Sequence, residues 1–418
     1  MIIKNARIID PASGLDDILD IEIESGLIKK IGKIDGDADI DAEGLVLSPG
    51  LIDVHVHFRD PGATEKEDMD SGSKSAAAGG YTSVICMANT KPILDDLEGI
   101  EYFLGKAKKS LIHLYTIAAL TEGFNGDRLT AMEELVEAGC VGFSDDGIPN
   151  VDSSIILDGM IRAKELDVPI SFHEEDPLLN KENGINHGLV SQELGYYGAP
   201  SVSEDIMVAR DCALALYTGA KINIQHMSSG EAVDIIRFYK QKGAKVTAEV
   251  TPHHFSMTED LVLKKGTLAK MNPPLRTEKD RQMIIEGLKD GTIEIIATDH
   301  APHTKEEKER DFLKAPSGII GLETALSLGI TYLVKKGKLS LIELLEKMTI
   351  NPAKLYNFKA GRLEIGYPAD LVIFSEDEEY IVGDFKSKSS NSPFIGEKLF
   401  GVVKYTIVDG KIVYSSIK

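Results

Sequence analysis

The 418-residue sequence predicts an α/β fold, a (β/α)8 TIM-like barrel with a small β-sandwich domain formed by both termini. Eight apolar, β-branched runs recur through the middle of the chain, and charged segments with helical spacing separate them. Near-continuous apolar strands are buried on both faces, as in a parallel sheet covered by helices. Several of the separating segments end in glycine, which stops a helix. The two ends of the chain instead carry short alternating strands with turns, the pattern of a separate β unit.

Residues 1–47 form the N-terminal part of the small domain, with "MIIKNARIID", "ILDIEIESGLIKKIG" and "DIDAEGLVL" as its strands. The barrel spans 48–357. Its runs are "LVLSPGLIDVHVH", "YTSVICMAN", "LIHLYTIAAL", "CVGFSDDG", "VPISFHEED", "KINIQHMSS", "KVTAEVTPHH" and "TIEIIATDHAPH". Between the fifth and sixth runs, "SEDIMVARDCALALYTGA" offers Ser203 as an N-cap and Gly219 as a stop. "GEAVDIIRFYKQKGA" and "EKDRQMIIEGLKDG" likewise carry glycine at their ends. Residues 358–418 complete the small domain, with Asp409–Gly410 suited to a tight hairpin turn. The longest irregular segment, Ala301 to Gly318, follows the eighth run and is a candidate active-site loop. The "KEEKER" within it reads as solvated.

A formal net charge of −21 argues against nucleic acid or an anionic membrane as partner, since either needs a basic patch. The three cysteines, Cys86, Cys140 and Cys212, are far apart and outside any CxxC pattern. A disulfide framework and a thiolate metal site are thereby disfavoured, and a reducing cytoplasm is the expected location. "MIIKNARIID" lacks the basic-then-apolar pattern of a signal peptide. No apolar run approaches the roughly 18 residues needed to cross a bilayer.

In a (β/α)8 barrel the chemistry gathers at the C-terminal ends of the strands. Five of the eight runs end in residues able to hold a metal: His55 and His57, Asp145 and Asp146, His173, His226, and Asp299. Side chains at i and i+2 of a strand share a face, with α-carbons roughly 6.6 Å apart. His55 and His57 can therefore converge on one ion, and the same register brings Arg59 and Asp53 to that face. His173 and His226, on adjacent strands, could supply a second ion. Four histidines with two carboxylates suit Zn²⁺ better than magnesium or calcium, which prefer oxygen ligands. Asp145 and Asp146 point to opposite faces of a strand, and spacing alone does not choose between them. His113 and His187 read as satisfied structural residues; His253 and His254 in "TPHH" read as structural too, with support of the metal ligands as the alternative. Asp53 stands outside the ligand set.

The motifs "GLIDVHVHFRDPG", "CMANTKP", "GFSDDG", "SFHEED", "IQHMSS", "AEVTPHH", "KMNPPLR" and "ATDHAPH" resemble the amidohydrolase superfamily, and within it the class I bacterial dihydroorotases. The resemblance covers essentially the whole chain. It implies one or two zinc ions per chain, with His55, His57 and Asp299 holding one and His173 and His226 holding the other. It also selects Asp146 as the bridging ligand, where hydantoinases and allantoinases carry a carbamylated lysine. The substrate carboxylate would meet Arg59 and Asn89, with His303 close by, and the ring amides would meet Asn272 and the Ser317–Gly318 backbone. Two positions depart from the usual pattern: Ala88 stands where proline is common, and Ser317 where phenylalanine is frequent. The implied reaction is zinc-dependent reversible hydrolysis of dihydroorotate to N-carbamoyl-aspartate in pyrimidine biosynthesis, with Asp299 carrying the proton. The implied partners are a second copy of the chain or aspartate transcarbamoylase. The competing readings are a hydantoinase or allantoinase, and a non-catalytic dihydroorotase-like partner of aspartate transcarbamoylase.

Overall fold

A computed structural model describes residues 1–181 and 184–417. The N-terminal segment forms β1 (Ile2–Asp10), β2 (Leu15–Glu24), β3 (Leu27–Gly32), β4 (Ile40–Asp41) and β5 (Val46–Pro49). The barrel follows with β6 (Leu51–Val56), β7 (Tyr81–Cys86), β8 (His113–Thr116), β9 (Ile170–Phe172), β10 (Ile222–Ile224), β11 (Val246–Val250) and β12 (Ile295–Ile296). The chain ends in β13 (Leu371–Ile381), β14 (Lys398–Val408) and β15 (Lys411–Ser415).

Strands β6, β7 and β8 pair in parallel, as do β9 to β12. Phe143 joins the two groups through parallel bridges to Ala118 and Ile170, and a bridge from Val56 to His300 closes the ring. The fourth run therefore contributes a single bridging residue and no regular strand. Two residues on, Asp145 turns away to accept hydrogen bonds from the backbone at Leu120 and Thr121, which ends the ladder. Helices lie between the strands, from Met69–Ala78 after β6 to Leu341–Met348 after β12, in right alternation for a barrel.

The first apolar run splits at Gly50. β5 pairs with β1 and β13 in the terminal sheet, whereas β6 pairs with β7 in the barrel. A β-carbon at Gly50 would lie 2.2 Å from the Thr82 side chain, so only glycine lets the chain pass there. Strands from both termini join in one hydrogen-bonded path, β15-β14-β13-β5-β1-β2-β3, with β4 beside β1. One face of this sheet encloses its own apolar core around Ile3, Ile21, Leu47 and Ile373, all fully buried. Val372 and Phe374 alternate with these and pack into the barrel core instead.

Helix Val202–Thr218 begins two residues earlier than expected. Its cap position is Ser201, and Ser203 lies inside the helix with its hydroxyl donating 2.8 Å to Pro200 O. Gly219 does stop the helix, at φ 74°. No helix among the described residues is long and apolar enough to cross a membrane. All three cysteines are free and buried.

Candidate metal centre

Strand β6 ends at Val56, yet its pleat continues one residue further because His57 N donates 2.9 Å to His300 O. His55 and His57 therefore share a face, with ring centroids 5.3 Å apart. Arg59 reaches the same region differently from the alternation expected for it. Its φ of 56° turns the backbone out of the strand, and His226 and Asp299 are also left-handed, at 32° and 49°. Non-glycine residues in that region are sparse and concentrate at functional sites.

Asp146 stands at the middle of the histidines. Its Oδ1 lies 3.4 Å from His55 Nε2, 3.7 Å from His173 Nδ1 and 3.8 Å from His226 Nε2, and its Oδ2 lies 3.5 Å from His57 Nε2. Asp299 Oδ1 is 2.9 Å from His57 Nε2 and 3.6 Å from His55 Nε2. Asp145 faces away and accepts 2.8 Å from Leu120 N and 2.5 Å from the Thr121 hydroxyl. Of the two aspartates, only Asp146 joins the cluster.

The donor set fits divalent metal ions. Two ligand atoms, each about 2.0–2.1 Å from a tetrahedral zinc, stand roughly 3.3–3.4 Å apart. The spacings around Asp146 are close to that. Donor atoms of His55, His57 and Asp146 lie within 4.8 Å of one another, as do those of Asp146, His173 and His226. Among the described residues His55 Nε2 and Asp146 Oδ1 are buried without a hydrogen-bond partner, which is costly unless a cation lies between them.

The outward nitrogens of three histidines are already committed. His55 Nδ1 donates 2.7 Å to Glu249 Oε1, His57 Nδ1 donates 2.9 Å to Asn89 Oδ1, and His173 Nε2 donates 2.8 Å to Glu175 Oε2. That leaves the inward nitrogen of each as a bare lone pair, the tautomer a metal requires. Glu249 is fully buried and also accepts 2.9 Å from Asn223 Nδ2. Sequence reasoning missed Glu249 and Glu175. An acid inside the apolar strand "VTAEV" was the available signal for the first.

Electrostatics point the same way. Burial opposes charge on His55, but Asp146, Glu249 and Asp299 together raise its proton affinity well above the ordinary. Burial likewise opposes charge on His173, and Asp146 and Glu175 outweigh it to push the imidazole up to about 10. Burial would raise Asp146 and Asp299, yet the surrounding histidines hold both well below the usual carboxylate range. The cluster thus concentrates negative charge that calls for positive compensation. Asp53 accepts 3.0 Å from His55 N and from Thr298 N at 3.1 Å, tying the first strand to the last; burial pushes it up to about 7.

Eleven of the twelve residues singled out from sequence line one cavity of about 200 Å³: His57, Arg59, Asn89, Asp146, His173, His226, Asn272, Asp299, His303, Ser317 and Gly318. His55 lies beneath, fully buried. His113 sits at the opposite end of its strand and pairs with Asp370 at 3.1 Å, and His187 is exposed. His254 is spanned by the Thr251 hydroxyl at 2.7 Å and Pro273 O at 3.1 Å, a structural arrangement.

A parallel barrel with four histidines and two aspartates at its C-terminal mouth defines a metal-dependent hydrolase class, and the chain belongs to the amidohydrolase family, whose profile matches residues 46–413. Within that family it is similar to the dihydroorotase of Clostridioides difficile (strain 630), 59% identical over 100% of both chains. The dihydroorotase of Lactococcus lactis subsp. lactis (strain IL1403) is 56% identical over 100% of this chain and 99% of its own. Among solved structures, the L-hydantoinase (dihydropyrimidinase) from Arthrobacter aurescens superposes with a TM-score of 0.88 at 27% identity, covering 100% of this chain and 96% of that one.

Proposed function

We propose that the chain is a dihydroorotase that holds two zinc ions and catalyses the reversible hydrolysis of (S)-dihydroorotate to N-carbamoyl-L-aspartate, the third step of pyrimidine biosynthesis. The observation that carries this reading is the shared cavity, which sets the Arg59 guanidinium, without a carboxylate in salt-bridge distance among the described residues, beside the histidine–aspartate cluster. Full-length similarity to dihydroorotases supports it. The aspartate at the bridging position favours it over a hydantoinase, although hydantoinases share the fold. The twelve filled positions disfavour a non-catalytic role.

His55, His57 and Asp299 would hold one ion and His173 and His226 the other, with Asp146 between them. Bound ions of this kind polarise a carbonyl and acidify water. The chain's own residues do the rest. Arg59 binds the substrate carboxylate with its planar fork, assisted by Asn89. His303 stays neutral, pushed down to about 2 by burial and the charge of Arg59, and donates 2.8 Å from Nε2 to Ser317 O. Gly318 spends its N–H on Lys270 O, so ring contacts from this pair fall to Ser317 and to Asn272, whose Oδ1 accepts 3.2 Å from the Ser317 hydroxyl. The Asp299 carboxylate takes a proton from the attacking water and delivers it to the leaving ring nitrogen. In ring closure it begins protonated. Association with a second copy or with aspartate transcarbamoylase is part of the proposal; strongly exposed Leu178, Leu189 and Tyr217 offer apolar surface for it.

Two measurements test this reading. Hydrolysis creates a carboxylate and releases a proton, so acidification favours the ring. With the purified protein bringing either compound to equilibrium, the ring-to-open ratio is expected to rise about tenfold per pH unit lowered, above the ordinary carboxylate pKa. A ratio that does not respond to pH refutes the reaction. The second test concerns Glu249→Gln. Glutamine offers one acceptor oxygen where Glu249 offers two, so either His55 or Asn223 must face an amide N–H₂. Zinc affinity, read by chelator competition, is expected to fall about 10–100-fold. Unchanged affinity would remove Glu249 from the metal site.

A further inference from the structure

The segment that supplies His303, Ser317 and Gly318 is held by three side chains, none of which lines the cavity. Lys270 Nζ donates to Phe312 O at 2.7 Å, Ala315 O at 2.8 Å and Leu313 O at 3.3 Å. Lys308 Nζ donates to Pro316 O at 2.9 Å and Gly318 O at 3.0 Å. Asn391, from the connection between β13 and β14, donates from Nδ2 to Ala301 O at 3.0 Å and Gly318 O at 3.2 Å, and its Oδ1 accepts 3.1 Å from His303 N. The three are 3%, 5% and 4% exposed, respectively.

Buried lysines are ordinarily paired with an acid, because taking a charge out of water costs several kcal/mol. Among the described residues neither Lys270 nor Lys308 has a carboxylate within salt-bridge distance. Their partners are backbone carbonyls, five of them within residues 312–318. An irregular loop would otherwise leave those carbonyls to water. A role as a reactive amine does not suit either lysine, since their N–H donors are committed and neither reaches the cavity. Burial and nearby Lys270 push the Lys308 amine down to about 7, but its neutral form still has the two donors that Pro316 O and Gly318 O use.

We propose that Lys270, Lys308 and Asn391 are positioning residues that preform the substrate-facing wall, so that His303 and Ser317 stand in place before substrate arrives. This rests on the reading of those two residues as substrate contacts. It also gives the terminal β unit a part in recognition. Asn391 ties both ends of the loop, Ala301 and Gly318, to the segment between its last long strands. The wall costs no ordering on binding, which keeps affinity for a small ligand high.

The test uses the full-length, metal-loaded protein and the variants Lys308→Met and Asn391→Ala. Arg310 and Lys314 are exposed within the loop and are trypsin sites. Losing one set of ties is expected to speed trypsin cleavage after these residues about tenfold, through more frequent local opening. The KM for dihydroorotate should rise about tenfold with kcat within about threefold of the parent, since ground-state and transition-state binding suffer alike. Zinc content should stay the same. Cleavage at the parent rate would overturn the clamp, and faster cleavage with an unchanged KM would overturn its part in recognition. Asn391→Ala removes only the ties from the terminal unit, so it supplies both readouts if Lys308→Met does not fold. If the parent itself fails to turn over dihydroorotate, the functional reading fails, while the cleavage rates still report on the clamp.

Discussion

Replacing Asp299 with alanine is expected to lower the kcat for dihydroorotate hydrolysis by at least about 10³-fold, because on the proposed reading it removes a general acid–base group and a metal ligand together. The carboxylate sits where both roles are open to it, 2.9 Å from His57 Nε2 and lining the cavity. The histidines hold it well below the usual carboxylate range, against the pull of burial. Asp299 is therefore ionised at neutral pH and ready to accept a proton in the hydrolytic direction. Asp299→Asn separates the two roles, since an amide keeps an oxygen donor but cannot take up the proton. If zinc content in the asparagine variant matches the parent while turnover is lost, the proton role is established. Near-normal turnover in either variant would refute the assignment.

Much of the barrel was legible because its signal is redundant. Each of eight runs is apolar and β-branched, and a misjudged boundary in one leaves the alternation intact. The details that failed are those settled by contacts between distant segments. The first run reads as continuous, but Thr82 packs against Gly50 and splits it between two sheets. The fourth run looks like a strand, but Asp145 is drawn to the backbone at Leu120 and Thr121, leaving Phe143 as its single bridge. The histidine–aspartate cluster was readable because a barrel brings every strand end to one mouth, whatever the loop lengths. Its outer partners were not. Glu249 is 194 positions from His55, and nothing local marks the pair. Lys308 was the clearest misreading. In "KEEKER" it resembles its solvated neighbours, yet it alone of the lysines there turns inward to the loop carbonyls.

Substitution of Arg59 by methionine is expected to lower kcat/KM for dihydroorotate by about 10²–10³-fold, the scale of removing one partner from a buried, hydrogen-bonded charge pair. Among the described residues the only hydrogen bond from the guanidinium runs from Nε to Pro302 O, at 3.3 Å. Arg59 itself lines the cavity. Burial lowers the pKa of Arg59, but a guanidinium keeps its charge in proteins, so it is a cation waiting for an anion. A carboxylate on the ring answers that need, and the discriminating comparison is dihydrouracil, the same ring without the carboxylate. In the parent the charged ring should be strongly preferred. In Arg59→Met the two rates should converge, because methionine fills much of the volume but offers no donor. Arg59→Lys should fall between, since an ammonium supplies charge without the bidentate fork. A methionine variant that loses both substrates equally would place Arg59 in support of the metal site, and one that keeps the parent's preference would assign carboxylate recognition elsewhere. Convergence through loss of the acidic ring alone is the outcome that ties the left-handed turn at Arg59 to substrate choice.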